Sequence, residues 1–322
     1  MAGSTDAAVV VEGIEKSFGD VHALRGVTFT AERGTVLGVL GPNGAGKTTT
    51  VKVLSTLLRP DRGRAVVAGH DVVSDAAAVR RSIMMTGQYA ALDENLSGRE
   101  NLELFGRLMG LPKAAARRRA DELLEQFDLV SAGRRPVNGY SGGMRRRVDL
   151  ACGLVVRPEV VYLDEPSTGL DPRSRQSVWS LVNALKDQGI TVLLTTQYLE
   201  EADVLSDKIV VIDKGSVIAE GTADELKERT GGSFCEVVPL QLADLRRTLD
   251  ALGDLVPADV RNEALTAGAD RVSVPAPDGA ATLAVAVRRL DTAGVRIADI
   301  ALRRPSLDDV FLAITGHAGS HV

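Results

Sequence analysis

Thr35-Val36-Leu37-Gly38-Val39-Leu40-Gly41-Pro42-Asn43-Gly44-Ala45-Gly46-Lys47-Thr48 is the stretch on which the reading of this chain turns. Its first six residues form a mostly apolar run of strand length. The last eight satisfy GxxxxGK[ST] at every fixed position, and a helical pattern runs on from Lys47 to Leu58. A chance match is expected in only about 0.01 of chains with this composition. Glycines let consecutive backbone N–H groups turn inward around a polyphosphate, and the positive end of a helix opens near Gly46. Lys47 can then reach the β and γ phosphates, and the Thr48 hydroxyl suits Mg²⁺. Gly41, Asn43, Gly44, Gly46, Lys47, Thr48 and Thr49 are therefore nucleotide-binding candidates.

Upstream, short β-rich runs at Val9 to Val11 and Val27 to Thr30 alternate with turn residues, which predicts an antiparallel layer ahead of the loop. Downstream, residues 96 to 150 read as mainly helical. Ser97 with Glu100 makes a capping box, and Ala120, Leu123, Leu124 and Phe127 share one helix face. After Pro158 the rhythm becomes β/α, with apolar strands at Val160 to Leu163, Val192 to Thr195 and Ile209 to Ile212 around a helix through Trp179 and Leu185. A short strand at Val217 to Ala219 and a helix capped by Thr222 and Glu225 follow.

Thr230-Gly231-Gly232-Ser233 reads as a linker. Beyond it the pattern is strand, helix (Leu240 to Leu252), strand around Val272 to Val274, helix (Thr282 to Ala293), strand (Val295 to Leu302) and a last helix from about Ser306, a small α+β module.

Composition bounds the function. The 322 residues are 44% hydrophobic and 25% charged, with a net charge of −5, ordinary globular values that leave no bulk positive charge for binding nucleic acid. Cys152 and Cys235 stand far apart without metal-ligand spacing, so neither a disulfide scaffold nor a structural zinc site is expected. Every apolar run falls short of the roughly 18 residues a membrane span requires, and the start lacks the pattern of a secretory signal. A cytoplasmic protein is expected.

Two more elements accompany the loop. Val160-Val161-Tyr162-Leu163-Asp164-Glu165 is an apolar strand ending in two carboxylates, which should project from the sheet's carboxyl edge beside the phosphate loop. Asp164 suits the Mg²⁺ shell, and Glu165 is placed to polarise a water against the γ phosphate. Asn138-Gly139-Tyr140-Ser141-Gly142-Gly143-Met144 lies between the two and leads into a helix, a second anion cradle that one nucleotide does not need. Arg145, Arg146 and Arg147 then oppose that helix's dipole, a conflict that phosphate nearby would relieve.

With these three motifs in this order the chain resembles the ATP-binding subunits of ABC transporters, Tyr-Ser-Gly-Gly-Met being a variant of the family's Leu-Ser-Gly-Gly-Gln signature. The resemblance implies that Ser141, Gly142 and Gly143 close over ATP held by the opposing subunit of a homodimer. It also implies that Phe18 stacks on adenine, that Gln88 in Thr-Gly-Gln-Tyr contacts Mg²⁺ or water, and that Asp171 lies at the dimer seam. The family's switch histidine falls at Gln197, which can donate a hydrogen bond to the γ phosphate but cannot carry imidazolium charge.

Arg304-Pro305-Ser306-Leu307-Asp308-Asp309-Val310-Phe311 resembles the tail of drug-exporter ATPases of the daunorubicin-resistance type. Leu307, Val310, Phe311 and Ile314 have helical spacing, for packing on their own domain or for docking a subunit.

The expectation is an α/β P-loop ABC ATPase core over residues 8–230, with antiparallel β and helical subdomains (the latter about 90–155), and an accessory α+β domain over 233–316. Glu165, Gln197 and Lys47 would be catalytic, and Thr48, Gln88 and Asp164 would hold the metal. With ATP and Mg²⁺, such a dimer would drive efflux of a hydrophobic drug or natural product through a separate polytopic membrane subunit, from the inner face of the cell membrane. Export of lipid, polysaccharide or ions, or a soluble ABC ATPase role in translation or DNA repair, are the alternatives.

Overall fold

An apolar run without alternation requires cover on both faces, and every residue of the strand ahead of the glycine-rich turn, Val36–Leu40, is indeed buried. A computed structural model describes residues 6–86, 92–229, 232–266 and 269–315, and its chain forms two compact units, Met1–Thr222 and Ala223–Val322.

The first unit begins with β1 (Ala7–Phe18), β2 (Val21–Glu32), β3 (Val36–Leu40), α1 (Lys47–Leu54), β4 (Arg62–Val67), β5 (His70–Asp71), α2 (Ala76–Ser82) and β6 (Ile83–Thr86). Three helices follow, α3 (Gly98–Leu108), α4 (Lys113–Gln126) and α5 (Gly142–Gly153). The chain then alternates through β7 (Val160–Asp164), α6 (Pro172–Asp187), β8 (Thr191–Thr196), α7 (Leu199–Leu205), β9 (Lys208–Asp213) and β10 (Ser216–Gly221). An antiparallel sheet has the order β2-β1-β4-β5. A six-stranded sheet runs β10-β9-β3-β8-β7-β6, parallel from β9 to β6.

The two-residue period of buried strands sorts their side chains into two cores. Leu37, Val39, Tyr162 and Leu193 face a core completed by the antiparallel sheet and α1, through Val9, Ile14, Val51 and Leu54. Val161, Leu163, Val192 and Leu194 face the opposite core, built with Leu102, Leu123, Leu150 and Leu185 of the helices. In the helical stretch the capping box is present: Glu100 N–H donates to Ser97 Oγ at 3.2 Å, and Ser97 N–H to Glu100 Oε2 at 2.8 Å. Ala120, Leu123, Leu124 and Phe127 are all buried.

The helix expected to reach Leu58 stops at Leu54. Thr56 takes a left-handed φ of 65°, and the Leu57 and Leu58 N–H groups both turn back to the Lys52 carbonyl. The elements from β4 to β6 were not among those expected from sequence.

The second unit comprises α8 (Ala223–Glu228), β11 (Phe234–Pro239), α9 (Leu245–Leu252), α10 (Ala258–Thr266), β12 (Val272–Pro275), α11 (Ala280–Thr292), β13 (Ile297–Arg303) and α12 (Leu307–Thr315). Its sheet, β12-β11-β13, is antiparallel throughout, and Cys235, Val237, Leu249, Val274, Ala286 and Leu290 share its core. α10 is an addition to the expected pattern. α12 packs against α8, with Leu307 and Val310 buried, which favours packing over docking for those two side chains.

Replacing Ser97 by Ala removes the cap on α3 and should lower unfolding stability by about 1 kcal/mol in a urea titration. An unmoved midpoint would mean that the box contributes nothing.

Candidate nucleotide site

The glycine-rich turn joins β3 to α1 at the carboxyl edge of the parallel sheet. Gly46 has a φ of 111°, and a Cβ there would stand 2.8 Å from the Ala23 carbonyl oxygen; on Gly41 it would stand 2.1 Å from that of Ile212. Side chains are thus excluded where the loop passes neighbouring backbone. Gly44, at φ 81°, has open space instead. Lys47 crosses the loop's interior, only 4% exposed, donating from Nζ to the Gly41 carbonyl at 2.7 Å and the Pro42 carbonyl at 3.1 Å. The same ammonium lies 3.4 Å from Glu165 Oε1. A glycine-rich cradle around a buried ammonium fits a polyphosphate.

Asp164 ends β7 and is buried. Its Oδ1 accepts the Thr48 hydroxyl at 3.2 Å and the Thr195 hydroxyl at 2.5 Å. A carboxylate and a threonine hydroxyl in contact are the hard oxygen donors that Mg²⁺ takes, so the residues present fit that ion. Glu165 takes a left-handed φ of 49°, unusual for a residue with a side chain. Thr195 anchors it: the Glu165 N–H meets both the Thr195 hydroxyl and the Thr195 carbonyl at 3.1 Å. Sequence reasoning missed Thr195, although Thr195-Thr196 is a polar pair ending an apolar strand.

Ser141 caps α5, accepting the Met144 N–H at 3.3 Å. Gly142 has open space, whereas a Cβ on Gly143 would come 2.4 Å from Ser174 Oγ. Ser174 in turn donates to the carboxylate of Asp171, the cap of α6, from its hydroxyl at 2.6 Å and its N–H at 3.0 Å. Those two hydrogen bonds hold the Asp171 carboxyl below the usual carboxylate range. The signature turn and Asp171 therefore meet within one chain.

The arginines of α5 are turned toward their own chain. Arg145 donates to Glu94 at 2.9 Å, Arg146 lies 3.4 Å from Asp149, and Arg147 donates to the Phe127 carbonyl at 2.9 Å. Intramolecular partners relieve the conflict with the helix dipole, so phosphate is not needed to explain it.

Phe18 ends β1 and is exposed, with the Lys16 ammonium 5.8 Å from the ring centroid, an aromatic available for stacking. Gln197 follows β8 directly and is half-buried. Gln88 lies outside the described residues, as do Thr230 and Gly231 of the linker. Asn43 is exposed and Thr49 half-buried.

A parallel sheet carrying this glycine loop, a buried lysine and adjoining carboxylates at its carboxyl edge defines a P-loop nucleotide-binding protein. The sequence profile described as "ABC transporter" matches residues 24–168. The chain is 62% identical over 312 residues to the doxorubicin resistance ATP-binding protein DrrA of Mycobacterium tuberculosis, covering 96% of this chain and 94% of that one. It is 57% identical over 313 residues to the daunorubicin resistance ATP-binding protein DrrA3 of Streptomyces coeruleorubidus, covering 97% and 96%. The dimeric post-hydrolysis structure of an ATP-binding cassette bound to ADP and Pi superposes with a TM-score of 0.60 at 25% identity, covering 66% of this chain and 98% of that one. The chain belongs to the ABC transporter ATP-binding family, and its fold is the ABC ATPase fold.

Thr195→Val strips Asp164 and Glu165 of a shared partner. Urea unfolding should register a loss of about 1–3 kcal/mol that Thr195→Ser largely restores; equal midpoints for wild type and the valine variant would refute the role given to this hydroxyl.

Proposed function

We propose that this chain is the ATP-hydrolysing subunit of an exporter of hydrophobic drugs or natural products, working as a homodimer on a separate polytopic membrane subunit at the inner face of the cell membrane. The observation that carries the reading is similarity over nearly the whole chain, both units included, to two drug-resistance ATP-binding proteins. No helix among the described residues is long and apolar enough to cross a membrane, so in this reading the pathway for the compound belongs to the partner.

In this reading Phe18 stacks on adenine, and the backbone from Gly41 to Gly46, with Thr49, surrounds the phosphates. Thr48 and Asp164 hold Mg²⁺, with Gln88 as a further contact; when bound, the ion neutralises phosphate charge. Phosphate oxygens compete with Glu165 and the Gly41 and Pro42 carbonyls for Lys47. A weakened pair with Lys47 leaves the Glu165 carboxylate to accept the proton of the attacking water. Gln197 donates a hydrogen bond to the γ phosphate, with less electrostatic stabilisation than a charged imidazolium would supply.

Two features support sharing of each site between protomers. Ser141 and Gly142 present exposed donors at a helix start, away from any role in their own chain's phosphate loop, and Asp171 is held beside them through Ser174. Closure of two such protomers on ATP and their opening after hydrolysis would be the stroke passed to the membrane subunit.

Glu165→Gln should lower turnover by about 10²–10⁴-fold, measured as phosphate release, and accumulate an ATP-bound dimer by size exclusion. Hydrolysis at the wild-type rate in that variant removes the base from Glu165. Lys47→Ala should abolish nucleotide binding, and mixing Lys47→Ala with Ser141→Ala chains should restore one intact site per hybrid dimer. Without such rescue, the sites are not shared.

A further inference from the structure

Glu201 is a buried carboxylate that none of these roles uses. It is the third residue of α7, four positions beyond Gln197, and its side chain has no exposed surface. Its Oε1 accepts the indole N–H of Trp179, on α6, at 3.2 Å. Its Oε2 has no hydrogen-bond partner among the described residues. A carboxylate buried with one oxygen unmatched is costly, and its removal relieves that cost while leaving unpaired only the N–H of a half-buried indole. Stability therefore does not account for glutamate here.

The contact joins two functional loops. α6 starts at the Asp171 cap, and Trp179 lies about two helical turns along it. Arg175, one turn nearer the cap, places its guanidinium 5.3 Å from the Tyr198 ring centroid and its Nη1 3.9 Å from Glu200 Oε2. The first half of α6 thus meets residues 198, 200 and 201, the segment that begins directly after Gln197. Glu200 is largely exposed and its pair with Arg175 is long, so that ion pair contributes little. The directional bond is the buried one. In its first turn, beside Arg175, α6 carries Ser174, which lies against Gly143 and holds Asp171.

We propose that Trp179 and Glu201 are positioning residues that couple the Asp171 end of α6, and through Ser174 the signature turn, to Gln197. A shift at the protomer seam is thereby passed to the group that donates to the γ phosphate. The proposal rests on the site reading above.

The full-length chain is tested as Glu201→Leu, Glu201→Gln and Trp179→Phe, with ATP as the probe. Glu201→Leu should keep or raise the unfolding temperature and hold ATP affinity within about twofold while kcat falls about tenfold, the discrimination of one hydrogen bond. Trp179→Phe should reproduce the fall. Glu201→Gln, which keeps an acceptor for the indole, should recover to within about threefold of wild type. Trp179 is the only tryptophan in the chain, so its emission reports on the contact without requiring turnover. ATP should shift that emission in the wild type and leave it unmoved in Glu201→Leu. Wild-type turnover in Glu201→Leu, a loss that tracks falling affinity or unfolding temperature, or an emission that ATP does not move in the wild type, each overturns the coupling. Undiminished turnover in Glu165→Gln instead overturns the site reading beneath it.

Discussion

The site depends on the register of three parallel strands. Thr195 of β8 pairs with Val39 of β3 on one side and with Asp164 of β7 on the other, so three chain segments distant in sequence end at one level. That level is where the phosphate loop leaves β3, where Asp164 and Glu165 leave β7, and where Gln197 follows β8. Because side chains alternate with a period of two, a slip of one residue in either pairing would send Asp164 or Thr195 to the opposite face. The short contact between the Thr195 hydroxyl and the Asp164 carboxylate records that the register is correct.

Two opposed cores hold this register. One lies under the antiparallel sheet and α1, the other under the helices that carry the signature turn, and neighbouring residues of a single buried strand contribute to both. The polar groups at the site tolerate burial because each finds partners close by: Lys47, at the start of α1, three oxygens, and Asp164, at the end of β7, two hydroxyls. The strained φ of Glu165 is held in the same way, by Thr195 from behind and Lys47 in front.

Long buried strands, the capping box at Ser97 and the glycine loop were legible because each has a local chemical signature that tertiary contacts do not alter. The elements that escaped are short or mixed. β5 has two residues, β6 is Ile-Met-Met-Thr, and α2 and α10 are brief and carry charges, so neither the two-residue nor the 3.6-residue period has room to show. The end of α1 escaped because a non-glycine residue, Thr56, adopts the left-handed turn that sequence reading assigns to glycine. At the site, Thr195 was read only as part of a strand. Two of the three arginines of α5 were read against phosphate because their partners, Glu94 and the Phe127 carbonyl, come from distant segments that local pattern does not reveal; Asp149, the partner of Arg146, stands three residues on along the same helix and was open to local reading.

What the sequence by itself determined was the kind of chemistry: a glycine-rich turn between strand and helix, a lysine and a threonine at fixed spacing, two carboxylates closing an apolar strand, and a serine-glycine turn between them. These depend on bonded neighbours, which amino-acid order specifies directly. Which side chain serves which was decided only by the tertiary structure. The approach of Thr195 to Asp164, of Ser174 to Gly143, and of Trp179 to Glu201 follows from strand register and helix packing, and those are set by burial summed over the whole chain.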